Sequence, residues 1–219
     1  MDLDEDSGPA LCKSIEKMTN LAKFDVRATE GKYLELDHME RPPMYVQRLH
    51  LKGLLRSLPS WIASLSNLVK LVLKGSKLSS EVQNPLARLE AIPSLMELQM
   101  VEYYTGEVML FKEGAFKNLM KLHIEQFDNL IEALAENEAL AKLKSLTICK
   151  CRRLEPLPRS YPLGRLEELV VYDMSDAFIG GLQKRIEDGE LIDHVQDGTA
   201  SSSTNQGVCR QIRSFRHVS

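Results

Sequence analysis

A short pattern of apolar residues recurs seven times along this chain, and it restricts the possible folds more than any other feature. Each copy has apolar residues at its first, fourth and sixth positions. The copies are LAKFDV (21–26), VQRLHL (46–51), LVKLVL (68–73), LMELQM (95–100), LMKLHI (119–124), LKSLTI (143–148) and LEELVV (166–171). Their starts are separated by 25, 22, 27, 24, 24 and 23 residues. A unit of this length cannot bury its apolar face alone, so the pattern predicts stacked neighbouring units.

The pattern and its spacing predict a leucine-rich-repeat solenoid of the α/β class, because intervals of ~20–29 residues are typical of such repeats. The fourth and sixth positions alternate as in a β-strand and point inward. Downstream apolar residues such as Leu58, Ile62 and Leu65 return along the other side. We therefore expect a curved horseshoe with a parallel sheet on its concave face and an irregular or short helical convex side.

The array of about seven repeats is expected to occupy residues 11–174. We expect residues 1–10 to be an acidic, flexible N-terminus that leaves the first apolar layer uncovered. Residues 175–195 carry apolar residues at helical spacing and are predicted to form a C-terminal cap. Residues 196–219 are polar and then basic, with little apolar content, and are predicted to be a disordered tail.

Composition and charge exclude several classes of protein. With 28 basic and 31 acidic residues, the chain has a formal net charge of −3 and no general footprint for nucleic acid. The start MDLDEDSGPA does not resemble a secretory signal, and no stretch approaches the ~18 apolar residues that a membrane span needs. Four scattered cysteines do not form a disulfide framework, so we expect a cytoplasmic protein.

Two of these cysteines, in LTICKCRRLEPLP (146–158), raise the question of a metal or redox site. Cys151 is at position nine of its unit, where these repeats carry an inward-facing Asn or Cys, so we expect it to pack in the interior. Cys149 is at position seven and is expected to be an exposed thiol on the concave face. His123 lies one repeat away on the solvent side, and we expect neither a metal nor a cofactor in this chain.

Positions three, five and seven of each unit should face solvent on the concave side, where such a sheet meets a protein partner. The candidate protein-binding residues are Arg48, His50, Lys52, Lys70, Lys74, Glu97, Gln99, Lys121, His123, Glu125, Thr147, Glu168 and Tyr172. Across these positions the first three units hold six Lys or Arg against one acid, and the last four hold one Lys against three acids. Charges aligned on one surface add their potentials, so this separation predicts a basic stretch and an acidic stretch.

The sequence does not predict an enzyme. The five histidines fall in separate repeats or in the tail, and no nucleophile and base recur at a useful spacing. A protein-interaction module remains, and a free-standing intracellular scaffold in a signalling complex is one form that such a module can take.

Residues 11–195 resemble the leucine-rich-repeat region of plant intracellular disease-resistance proteins of the coiled-coil, nucleotide-binding (NLR) class. The matching stretches are LCKSIEKMTNL (11–21), the Pro-Pro and LPSWIASLSNL segments within 42–68, YYTGEVMLFKEGAF (103–116), LTICKCRRLEPLP (146–158) and DGELIDHV (188–195). The insertion at 103–116 is the most specific of these.

This resemblance implies a module that restrains a nucleotide-binding switch domain and senses a pathogen effector or a guarded host protein in the defence response. No Gly-x-x-x-x-Gly-Lys-Ser/Thr motif occurs, so nucleotide binding is not expected of this chain itself. Whether the chain is part of a longer receptor or acts alone stays open at this point.

Overall fold

In the computed structural model, seven parallel strands form the main sheet, and each of them coincides with one copy of the repeated pattern. The structure describes residues 2–3, 8–79, 84–189, 195–197 and 212–215. The seven strands are β2 (Lys23–Ala28), β3 (Arg48–Lys52), β4 (Lys70–Lys74), β5 (Glu97–Val101), β7 (Lys121–Glu125), β9 (Ser145–Cys149) and β10 (Glu168–Tyr172). They lie side by side in this order and make about six turns of a solenoid. The leucine-rich-repeat fold predicted from the sequence is therefore confirmed.

The strands pair so that equivalent positions of successive repeats lie next to one another. Leu71 of β4 is opposite Leu49 and Leu98, and this column continues through Leu122 and Leu146. All of these side chains are buried. Each repeat thus supplies one layer of a continuous core that only its neighbours can complete.

In six consecutive repeats, the residue that follows the strand has a backbone conformation that residues other than glycine rarely adopt. These residues are Gly53, Gly75, Glu102, Gln126, Lys150 and Asp173, and all have a positive φ. Only two of the six are glycine, the residue that adopts this region without a steric cost. The bend is held by the next repeat, because the amide of Gln126, for example, donates to the carbonyl of Cys149 at 3.0 Å.

The return segments are short helices, irregular chain and a second small sheet. The helical pieces are α2 (Ala87–Glu90) and two 3-10 turns, Ser60–Ser64 and Leu163–Arg165. The indole of Trp61, in the first of these turns, is buried and donates to the carbonyl of Leu36 in the preceding return at 2.8 Å.

The second sheet was not expected from the sequence, which predicts an irregular or short helical convex side. Strands β6 (Val108–Phe111) and β8 (Glu132–Ala135) pair in parallel and belong to successive return segments. Met109 and Phe111 are buried, and their partners in the register are Ala133 and Ala135. The alternation of buried and more exposed side chains within four residues is that of a strand with one buried face.

Short strands pair with both ends of the main sheet. Within residues 1–10, which the sequence predicts to be flexible, the described residues form β1 (Asp2–Leu3), which pairs with β2, and the start of helix α1 (Gly8–Glu16), which places Cys12 and Ile15 in the core. The disorder predicted for the tail 196–219 stays a prediction, because most of these residues lie outside the described ranges; β12 (Ile212–Phe215) pairs with β10 and β11 (Val195–Asp197) pairs with β12, both antiparallel. The free edge of a parallel sheet offers unpaired backbone groups, and these strands use them.

Helix α3 (Asp176–Glu187) lies within the range predicted to be the C-terminal cap. Phe178 and Leu182 are buried, and the hydroxyl of Ser175 accepts a hydrogen bond from the amide of Phe178 at 3.2 Å, which caps the helix. The buried guanidinium of Arg185 donates to the carbonyls of Leu157, Pro158 and Tyr161, so the helix is tied to the last return segment. None of the helices in the described residues has the length and apolar character that a membrane crossing requires.

Stability is expected to depend on the inward column and hardly on the concave face. Leu146→Ala removes a fully buried side chain from one layer and should lower the free energy of unfolding by ~2–5 kcal/mol. Thr147→Ala, the next residue along the same strand, is half-buried on the other face and should cost under ~0.5 kcal/mol. Urea denaturation followed by circular dichroism measures both values, and equal losses would contradict the strand register.

A pair of adjacent glycines in α3 provides a second test of packing. A Cβ on Gly181 would lie 2.5 Å from Cβ of Pro156, whereas a Cβ on Gly180 would meet nothing within 4 Å. Gly181→Ala should therefore lower the free energy of unfolding by roughly 1–3 kcal/mol, because the proline ring cannot move away cheaply. Gly180→Ala should raise it by up to about 1 kcal/mol through helix propensity alone. Stabilisation by both changes would show that α3 does not pack against Pro156.

Candidate protein-binding face

The register of the sheet places the concave side chains in three rows that cross the strands. The first row holds Lys23, Arg48, Lys70, Glu97, Lys121, Ser145 and Glu168; the middle row holds Asp25, His50, Val72, Gln99, His123, Thr147 and Val170; the third row holds Arg27, Lys52, Lys74, Val101, Glu125, Cys149 and Tyr172. All thirteen candidate residues from the sequence lie in these rows. Whether they bind a protein stays a prediction.

The third row begins with three consecutive cations, Arg27, Lys52 and Lys74, on neighbouring strands. Arg27 pairs with Asp25 at 3.1 Å on its own strand. Lys52 and Lys74 are exposed, and within the described part of the chain neither ammonium group has an ion-pair or hydrogen-bond partner. Like charges directly opposite one another in a sheet are unfavourable, so this row favours contact with an anionic surface.

The first row is partly neutralised where the basic stretch meets the acidic stretch. Nζ of Lys70 lies 2.8 Å from a carboxylate oxygen of Glu97, and Nζ of Lys121 lies 3.9 Å from the other oxygen. The hydrogen bond from Lys70 lowers the pKa of Glu97 below its ordinary value. Lys70 therefore contributes less free positive charge than the sequence suggests.

Asp25 plays a similar part at the start of the middle row. Its carboxylate accepts hydrogen bonds from Arg27 and contacts Nδ1 of His50 at 3.1 Å. The hydrogen bond from Arg27 is the main reason that the pKa of Asp25 is lowered. A groove of about 460 Å³ opens beside these groups, and Lys23, Arg48 and Lys70 line it.

Farther along the sheet, Glu125 is the centre of a second polar cluster. One of its oxygens lies 3.1 Å from Nε2 of His123 on the same strand, and the other lies 2.7 Å from Nζ of Lys150. Partial burial raises the pKa of Glu125, but the hydrogen bonds from Lys150 and His123 outweigh burial and leave that pKa lower than usual. Lys150 was not among the residues chosen from the sequence, because position eight is the bend and lies outside the alternation of the strand.

Cys149 corrects the sequence expectation, which placed an exposed thiol on the concave face. The residue does lie in the third row, but its exposed fraction is 0%, and its Sγ is 3.9 Å from the carbonyl oxygen of Ile124. In the register it lies between Glu125 and Tyr172, whose longer side chains flank it. Burial raises the pKa of the thiol to about 11, even though a hydrogen bond with Tyr172 opposes this effect.

Cys151 is placed as the sequence predicts. It is fully buried on the other side of the sheet, and its Sγ donates to the carbonyl of Cys149 at 3.3 Å. Burial also raises the pKa of this thiol, to about 12. The two cysteines thus point to opposite faces and do not form a shared site.

Thiol reactivity is expected to follow burial. In the folded chain both Cys149 and Cys151 should react with a bulky maleimide at least about tenfold more slowly than in denaturant, because burial hinders access and raises the pKa of both thiols. Mass spectrometry of tryptic peptides after timed labelling measures each site separately. Rapid labelling of Cys149 in the folded chain would contradict its burial and would support the exposed thiol predicted from the sequence. Cys209 lies outside the described residues.

A family model and several similar proteins agree on the family to which this chain belongs. A family model described as "Leucine-rich repeat region" matches residues 1–174. Disease resistance protein RPM1 of Arabidopsis thaliana is 32% identical over 174 residues, which cover 78% of this chain and 18% of that protein. A putative disease resistance protein of the same plant is 30% identical over 173 residues, covering 74% of this chain and 13% of the relative.

A shorter match, to the probable disease resistance protein RF9 of Arabidopsis thaliana, is 31% identical over 77 residues and covers 35% of this chain and 7% of the relative. The chain thus spans less than a fifth of the length of each of these relatives. No solved structure matches it significantly.

Proposed function

We propose that this chain, a member of the family of leucine-rich-repeat regions in plant disease-resistance proteins, recognises proteins and restrains the switch domain of such a receptor. The relatives are disease-resistance proteins by name, and they are much longer than this chain. The concave face is proposed to hold a nucleotide-binding switch domain at its basic stretch. The later strands of the concave face are proposed to contact a pathogen effector or a guarded host protein.

The observation that carries the first half of this proposal is the pair of unpartnered lysines in the third row. Lys52 and Lys74 are opposite one another in the register and exposed, with no neutralising contact among the described residues. Strands lie ~4.8 Å apart, well within a Debye length, so the two charges repel one another until an anionic surface or salt compensates them. An acidic face of the switch domain would provide that compensation and would speed association.

The second half of the proposal rests on the different chemistry of the later strands. There the concave face presents Gln99, Thr147 and Tyr172 beside the carboxylates of Glu125 and Glu168. Aromatic and amide groups of this kind can contact a partner with no strong charge preference, and tyrosine is enriched at protein interfaces. A sensed protein is therefore assigned to this end, away from the basic stretch.

Reversing two charges in the basic stretch should weaken binding to the switch domain without affecting the fold. In the variant Lys52→Glu/Lys74→Glu, the association rate with the nucleotide-binding domain of the receptor should fall roughly tenfold or more, and its salt dependence should largely disappear. Surface plasmon resonance at several salt concentrations measures both quantities. Lys70 is left unchanged because it is already paired with Glu97.

The matched control is Lys17→Glu/Lys117→Glu, which makes the same change in net charge at two exposed residues outside the strands. It should bind with the rate and salt dependence of the unchanged chain. Equal loss in both variants would mean that only the total charge matters. In a complete receptor, the Lys52→Glu/Lys74→Glu change should also give defence signalling without a pathogen, and an inactive, correctly folded receptor would contradict the restraining role.

A further inference from the structure

Three potential metal ligands of different chemistry meet on the concave face at the junction of β7 and β9. They are an imidazole nitrogen of His123, a carboxylate oxygen of Glu125 and the thiol of Cys149, and these atoms all lie within 4.8 Å of one another. Glu125 and Cys149 are directly opposite in the register, while His123 precedes Glu125 by two residues on the same face. The repeat brings together groups that are 26 positions apart in the sequence (from 123 to 149).

We propose that His123, Glu125 and Cys149 bind a divalent transition-metal ion of the zinc type. Zinc is held by Cys sulfur, His nitrogen and carboxylate oxygen at distances of ~2.0–2.3 Å, which puts neighbouring ligand atoms of a tetrahedral site roughly 3.5 Å apart. Because the three donor atoms lie within 4.8 Å of one another, they need to close by at most about 1.3 Å to reach that geometry, and His123 and Glu125 are already at 3.1 Å.

The surroundings of Glu125 suit this role. Lys150 holds one carboxylate oxygen at 2.7 Å, and the other oxygen is the one that faces His123. The lysine therefore fixes the orientation of the carboxylate while leaving one oxygen directed at the cluster, as groups around metal ligands commonly do. The side chains of His123 and Glu125 are 28% and 18% exposed, so an ion can enter from the concave side.

The combination of donors selects the kind of ion. A thiolate with an imidazole favours zinc and related transition metals, whereas calcium and magnesium prefer sites made of oxygen alone. On binding, the ion replaces the proton of the Cys149 thiol, which leaves as a solvent proton, and it takes the free electron pair of neutral His123. Three protein ligands leave a further coordination position for water.

The sequence does not predict this site, because the two cysteines that are close together in the chain are Cys149 and Cys151. Those two residues point to opposite faces, as the structure confirms. His123 is one repeat away from Cys149 in the sequence, but in a parallel solenoid one repeat away is the adjacent strand. This inference rests on the cluster alone and is independent of the proposed partner of the basic stretch.

Cobalt(II) is the probe that tests the site directly, because thiolate ligation gives a sulfur-to-metal charge-transfer absorption. The experiment uses the full chain without an affinity tag and with Cys209→Ser in every sample. We expect a charge-transfer band that saturates at one cobalt per chain and is displaced by zinc. The band should be lost in Cys149→Ser, and cobalt binding should be at least about tenfold weaker in His123→Gln.

The matched control is His50→Gln, which removes a concave histidine that also contacts a carboxylate but is not part of the cluster. It should bind cobalt like the unchanged chain. If Cys149→Ser does not fold, as judged by circular dichroism, the half-buried His123 carries the test, because it lies outside the apolar core. Absence of the band in the unchanged chain, or a band of equal strength in His123→Gln, would overturn the proposal; the latter would indicate adventitious binding to another thiol.

Discussion

The whole molecule depends on the parallel pairing of strands in identical register. An isolated repeat exposes the leucines of its strand, and only the strand before and the strand after can cover them. The column through Leu49, Leu71 and Leu98 shows the result, since each side chain completes the layer of its neighbour. The same register operates on the other face of the sheet. There it brings the side chains of successive repeats together whether their charges are opposite or alike.

The concave face can be understood as the consequence of this constraint. Where neighbouring repeats carry opposite charges, the register produces ion pairs, such as Lys70 with Glu97. Where they carry like charges, as at Lys52 and Lys74, it holds a repulsion that the isolated chain cannot relieve. Where one repeat offers a histidine and a carboxylate and the next a cysteine, it assembles a cluster of metal-binding donors. Binding of the switch domain and binding of an ion are thus proposed to use different segments of one surface.

Most of the array could be predicted from the sequence because its period is strong. All seven strands and the interior position of Cys151 follow from counting residues in each unit. The exposure of Cys149 could not be predicted in this way, because alternation gives the direction of a side chain but not the size of its neighbours in the adjacent strands. The sheet of β6 and β8 was missed for a related reason: its strands lie in return segments, which have no fixed length or pattern. The pairing of β12 with β10 cannot be predicted from the composition of the tail, because the pairing uses backbone groups and composition describes only side chains.

The position of Trp61 has a consequence for spectroscopy. It is the single tryptophan of the chain, and its buried indole donates a hydrogen bond to the carbonyl of Leu36 in the preceding return segment. Its emission therefore reports on the contact between these two return segments alone, whereas the far-ultraviolet signal averages over every strand. Because each repeat of a solenoid contacts only its neighbours, the two signals can separate when one end opens before the other. The fluorescence of this chain is a local probe of its N-terminal repeats.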